Sequence, residues 1–136
     1  MVMGKHRSTV LASVLALGFA ISAQAQERLS LYCANLEEQC RLIAGAFERK
    51  TGIQVAMIRK SSGEFYAQVK AEATNPRGDV WWGGPSEIHA QVAVDGLLEA
   101  YRSPAIEELH PWFRRQAERT GFVTTGVYLG AVGVGY

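Results

Sequence analysis

The sequence predicts an α/β fold: a mostly parallel sheet covered by flanking helices. Three observations lead there. Short apolar runs rich in β-branched and aromatic residues recur three times, near residues 29, 53 and 79. Each is followed by a helix-length stretch with apolar residues at helical spacing. Gly, Pro and Asp-Gly punctuate the junctions, and strands alternating with helices at this interval call for βαβ units.

The first strand is expected over 29–32, LSLY. Leu36, Cys40, Ile43, Ala44 and Phe47 then mark one face of a helix that ends at Gly52. Residues 53–58, IQVAMI, form the second strand. Phe65, Val69 and Ala73 mark a second helix, stopped near Asn75 because Pro76 cannot continue it. The third strand is 79–82, DVWW, and Gly83-Gly84-Pro85 breaks the chain before a third helix over 86–94 that stops at Asp95-Gly96. Beyond it the pattern predicts an extended linker over 97–104, a helical segment over 106–120 interrupted at Pro111, and a Gly-rich alternating strand region over 122–136. Right-handed crossovers carry the turns after all three strands, CANLEE, RKSSGE and WWGGPSE, to one edge of the sheet. Ligands of open α/β sheets bind at that edge.

The N-terminus reads as an export signal. Lys5, His6 and Arg7 precede the apolar core VLASVLALGFAI, and Ala23-Gln24-Ala25 offers a small-x-small cleavage site, so residues 1–25 are expected to be removed. The apolar run is shorter than the roughly 20 residues a spanning helix needs. Residues 26–136 suffice for one small domain. Without Lys5 and Arg7 the 14 basic residues fall to 12, against 13 acidic ones. This near-neutral balance, with no basic run, argues against nucleic acid as a partner.

Cys33 and Cys40 are the only cysteines. An even count in an oxidising compartment favours a disulfide, and the alternative is two buried free thiols. Zinc is poorly served, with no CxxC and no neighbouring histidine.

Ser61 followed by Glu64 fits the capping box S-x-x-E, which begins many ordinary helices. The same segment also offers backbone N–H groups at Ser62, Gly63 and Glu64, the positive end of a helix dipole and two hydroxyls, the ingredients of an anion cradle. Gly63 leaves room for a ligand oxygen to approach the backbone. Trp81 and Trp82 must point to opposite faces of their strand, so at least one fills core. Gly83 and Gly84 serve either as a tight turn or as a ligand-lining surface free of side chains. Catalysis is poorly supported: Ser61, Ser62 and Ser86 lie in no G-x-S-x-G elbow, and His89 and His110 have structural roles as their default. No P-loop is present, and Glu87 and His89 are two apart on a helix, facing different ways.

With these residues in view, the stretch YCANLEEQCRLIAGAFERKTGIQVAMIRKSSGEFYAQVKAEATNPRGDVWWGGPSEIHAQVAVDGLLEAYRSP resembles the N-terminal lobe of bacterial ABC-transporter solute-binding proteins, in the branch that binds iron(III), phosphonates and phosphorylated sugars. FERKTGIQV, RKSSGEFYAQVKAEA and GDVWWGG carry the resemblance most specifically. It implies a periplasmic-binding-protein fold of the second type, in which two lobes close over a ligand and dock on a membrane permease. It places Ser61, Ser62, Gly63, Gly83 and Gly84 on the cleft wall, with no catalytic residue, no metal ligand and no cofactor. The ferric binders of this family carry a histidine after the first strand and a glutamate after the third, where this chain has CANLEE and WWGGPSE. An organic anion, a phosphonate or sugar phosphate, is therefore expected ahead of a ferric complex.

The expectation is a periplasmic, non-enzymatic receptor: residues 1–25 as signal peptide and 26–136 as a truncated N-terminal lobe lacking its second lobe and binding a solute weakly or not at all on its own. A nonfunctional fragment of such a receptor, or an exported serine hydrolase using Ser61 or Ser62, are the alternatives.

Overall fold

A computed structural model describes residues 28–130. The expected signal peptide lies outside the described residues, as does the end of the Gly-rich region, 131–136. Three parallel strands, β1 (Arg28–Cys33), β2 (Gln54–Arg59) and β3 (Val80–Trp82), form a sheet in the order β2-β1-β3. Leu31 of β1 is in register with Met57 on one side and Val80 on the other. Helices α1 (Glu37–Thr51), α2 (Ser62–Ala71) and α3 (Ser86–Val94) make the connections, followed by a 3₁₀ turn (Pro104–Glu108) and α4 (Pro111–Arg119).

Period-two alternation along β1 sends its residues to two different cores. Leu31 and Cys33 face α1, where Cys40 and Ala44 are buried and Leu29, Val55, Met57 and Trp82 pack around them. Tyr32 faces the other way, stacked on the fully buried Phe65 of α2 at 4.9 Å between ring centroids. Trp81 continues this row, 5.7 Å from Phe65 and 4.6 Å from His89 of α3. Trp81 and Trp82 thus serve opposite faces, and both are packing residues. The α1 stripe is narrower than its sequence pattern: Leu36 and Ile43 are exposed.

Helix α1 carries Glu37 and Glu38 in its first turn and Arg49 and Lys50 in its last, the arrangement that complements the helix dipole. Gly52 closes it at φ 76°, donating its N–H to the Glu48 carbonyl at 2.8 Å. Cys33 and Cys40 are disulfide-linked, with Cα atoms 6.0 Å apart, which ties the end of β1 to the first turn of α1.

Helix α2 ends at Ala71, two residues before Ala73, and the chain turns there. Glu72, at its C-cap, organises the polar edge of the Tyr32 face: the Tyr32 hydroxyl donates to it at 2.8 Å, and the Gln68 amide donates to both Glu72 and Tyr32. Lys60 donates to Gln68 from the other end. Burial pushes the Glu72 carboxyl up, but the hydrogen bonds from Gln68, Tyr32 and the Arg77 backbone outweigh it and hold the group below the usual carboxylate range. A depressed folded-state pKa gives stability that is present above the unfolded value and lost as pH falls through the folded one. Thermal melts recorded from neutral pH into the acid range are therefore expected to fall, and Glu72→Gln should flatten that fall. A variant with an unchanged pH profile would remove Glu72 from the account.

The C-terminal part differs from its expectation. Residues 122–130 are not a strand. Their backbone groups are engaged elsewhere: the Phe122 carbonyl accepts from the Tyr101 N–H, the Thr124 carbonyl from the Thr120 hydroxyl, and the Gly126 N–H donates to Gln116 at 2.7 Å. A Cβ at Gly126 would overlap the Phe113 ring, so a glycine lets this segment lie directly on α4. The interruption expected at Pro111 falls at Leu109 and His110, between the 3₁₀ turn and α4, and Pro111 itself opens α4, where its missing N–H costs nothing.

Candidate functional site

The three strand-end turns meet. The Ala34 N–H after β1 donates to the Trp82 carbonyl at the end of β3 at 2.9 Å. Arg59 at the end of β2 donates from Nε to the Asn35 carbonyl at 2.9 Å, so this cation bridges two turns. Lys60, its neighbour, faces α2 instead. The paired cations of RKSSGE therefore do different work: Arg59 stands at the turn edge with further guanidinium donors, and Lys60 belongs to the Tyr32 network.

Ser61 caps α2 with a complete capping box. Its hydroxyl accepts from the Glu64 N–H at 3.3 Å, while the Glu64 carboxylate accepts from the Ser61 N–H at 2.9 Å and from the Ser61 hydroxyl at 2.6 Å. These bonds, the hydroxyl first and the backbone second, draw the Glu64 carboxyl below its usual range. The box changes the inventory of the cradle. Glu64 spends its N–H on the cap and Phe65 donates to the Ser61 carbonyl, which leaves the first N–H groups of the helix, those of Ser62 and Gly63. A Cβ at Gly63 would meet nothing within 4 Å, so the approach to these donors is open.

Gly83 and Gly84 both have positive φ, 89° and 98°. A Cβ on Gly83 would come within 3.1 Å of the Ala34 backbone, and one on Gly84 would overlap the Ser62 hydroxyl. The first contact presses the β3 turn against the β1 turn, and the second presses it against the start of α2. Ser62 and Gly84, 22 positions apart in sequence, thus share one spot. His89 reaches back from α3 to the Gly83 carbonyl at 2.8 Å. Because a carbonyl only accepts, His89 carries its proton on Nε2, and the imidazole fastens the glycine turn. The Gly84 N–H donates to the Tyr128 hydroxyl at 3.2 Å, with the Tyr128 ring 6.0 Å from Trp82.

Of the five residues expected on the cleft wall, Ser62 and Gly84 are in contact, Gly63 opens the approach, Gly83 seats the turn and Ser61 is occupied as a cap. Sequence reasoning placed Arg59 at this edge within RKSSGE but gave it no partner, and it read His89 as structural, the role its bond to the Gly83 carbonyl gives it. It missed Tyr128, which carries no local signal. Among the described residues no group of three or more His, Cys, Asp or Glu is placed to hold a metal ion, and no helix is long and apolar enough to cross a membrane.

A parallel sheet with helices on both faces and glycine-rich turns converging at its C-terminal edge defines a lobe of the periplasmic-binding-protein type. The chain belongs to the bacterial extracellular solute-binding proteins, whose family model matches residues 29–123. It is similar to the periplasmic binding protein AfuA of Actinobacillus pleuropneumoniae with fructose 6-phosphate bound (40% identity, TM-score 0.63, 66% of this chain and 28% of that one). It is also similar to the periplasmic binding protein P5PA (35% identity, TM-score 0.65, 71% of this chain and 31% of that one). Iron-bound HitA of Pseudomonas aeruginosa is more distant (28% identity, TM-score 0.59, 64% of this chain and 28% of that one). An uncharacterized protein of Haemophilus influenzae is 37% identical over 137 residues, 99% of this chain and 40% of the relative. These solved relatives are binding proteins, and the chain spans about two fifths of the length of the Haemophilus influenzae relative.

Proposed function

We propose that the chain is the N-terminal solute-binding lobe of an exported ABC-transporter receptor, delivered to the periplasm by residues 1–25 and presenting an anionic solute to a membrane permease. Ser61, Ser62, Gly63, Gly83 and Gly84 form one wall of the ligand cleft. The observation that carries this reading is the juxtaposition of the Ser62 hydroxyl with Gly84, beside the N–H groups of Ser62 and Gly63. Neutral donors at the positive end of a helix suit the oxygens of a phosphoryl or phosphonyl group. A bare ferric ion needs anionic ligands, and Glu64, the carboxylate beside these donors in the α2 turn, is already committed to Ser61. The greater identity to the fructose-6-phosphate-bound AfuA than to the iron-bound HitA supports the same choice. A ferric complex carried by an organic anion would engage the same donors and is the competing ligand.

Isothermal titration of the protein with fructose 6-phosphate, 2-aminoethylphosphonate and ferric citrate separates the ligands. A phosphoryl or phosphonyl compound is expected to bind, and Ser62→Ala to weaken it about tenfold, the scale of one hydrogen bond to a charged group. Binding of ferric citrate alone, or full affinity in Ser62→Ala, would refute the assignment.

A further inference from the structure

We propose that Tyr128 is an internal place-holder for the anion: its phenol oxygen occupies the Gly84 N–H in the empty lobe and is displaced when a phosphoryl oxygen arrives. This rests on the reading of the Ser62–Gly84 edge as the anion site. The contact joins residues 44 positions apart and is made to a backbone donor at a turn that excludes side chains of its own. At φ 98°, with the Ser62 hydroxyl against it, Gly84 gives its N–H to a group from elsewhere in the chain. Tyr128 supplies that group from a segment without regular secondary structure.

The attachment is built to release. Val127 and Leu129, on either side, are 48% and 75% exposed, and Tyr128 itself is 45% exposed. Among the described residues, the contacts that hold Tyr128 here are one neutral hydrogen bond of 3.2 Å and its ring lying 6.0 Å from Trp82. A phosphoryl oxygen is the stronger acceptor, because a charge-assisted bond is roughly twice as strong as a neutral one. Exchange of acceptors keeps the Gly84 donor satisfied in both states. It also couples occupancy to the position of Tyr128 over Trp82, a fluorophore in contact with the exchange.

The test is Tyr128→Phe in the full 136-residue chain, titrated with inorganic phosphate and followed at the Gly84 amide by ¹H–¹⁵N spectra. The ring and its packing on Trp82 are retained, and only the competing acceptor is removed. The free variant is expected to show a shifted Gly84 amide with faster hydrogen exchange, and to bind phosphate about threefold to tenfold tighter than the parent, the scale of one net neutral hydrogen bond. Unchanged or weaker binding, with phosphate still perturbing Gly84 in both proteins, overturns the place-holder while leaving the site. If phosphate perturbs neither Gly84 nor Ser62 in either protein, the anion site and the place-holder fall together.

Discussion

Replacing Cys33 and Cys40 together by alanine is expected to lower the stability of the chain by about 2.5 kcal/mol, the loop-closure entropy of a short cross-link. The bridge spans a sequence separation of 7, and both cysteines are completely buried within the cluster of Leu31 and Ala44. Cys33→Ser alone should do worse, because a buried hydroxyl without a partner adds roughly 1–3 kcal/mol. The loss reaches the site as well. Ala34 and Asn35 lie inside the bridged loop, and they contact Gly83 and accept from Arg59 respectively. Urea unfolding of oxidised and reduced protein provides the measurement, with the midpoint falling on reduction. Coincident transitions would show that the bridge does not constrain the unfolded chain.

Gly84→Ala should abolish phosphate binding and cost about 1–3 kcal/mol of stability, the range for a non-glycine residue held at such a φ. Two independent causes act at this position. Its φ of 98° belongs to glycine, and the added methyl group would occupy the space of the Ser62 hydroxyl. Gly63→Ala is the internal comparison. Gly63 has no positive φ, and its Cβ would meet nothing within 4 Å, so a small stability change is expected there. Thermal melts on the two variants read the contrast, and titration calorimetry with phosphate reads the binding loss in Gly84→Ala. Equal losses of stability in both would mean that the Ser62–Gly84 contact does not organise this edge.

The alternation of strands and helices through residue 96 was legible because each element there carries its own signal: β-branched runs, helical spacing, and a glycine or proline at the stop. The capping box at Ser61 was legible for the same reason, since its partners are three residues apart. The stretch over 122–130 was misread because its alternation mimics a strand. A strand also needs a neighbour, and here Gln116, Thr120 and Tyr101 take the backbone bonds that a neighbouring strand would have supplied.

By itself, then, the sequence determined the local elements, the two glycines of the third turn and the family resemblance that the family model bears out. Those depend on neighbours a few residues apart or on motifs preserved as contiguous strings. Tertiary structure alone decided that Ser62 and Gly84 share one spot, that Arg59 rather than Lys60 faces the turns, and that Tyr128 closes on Gly84. Each of these depends on which donor meets which acceptor after the sheet has brought its strand ends together, and residues 22 or 44 positions apart leave no periodic trace of that meeting in the chain.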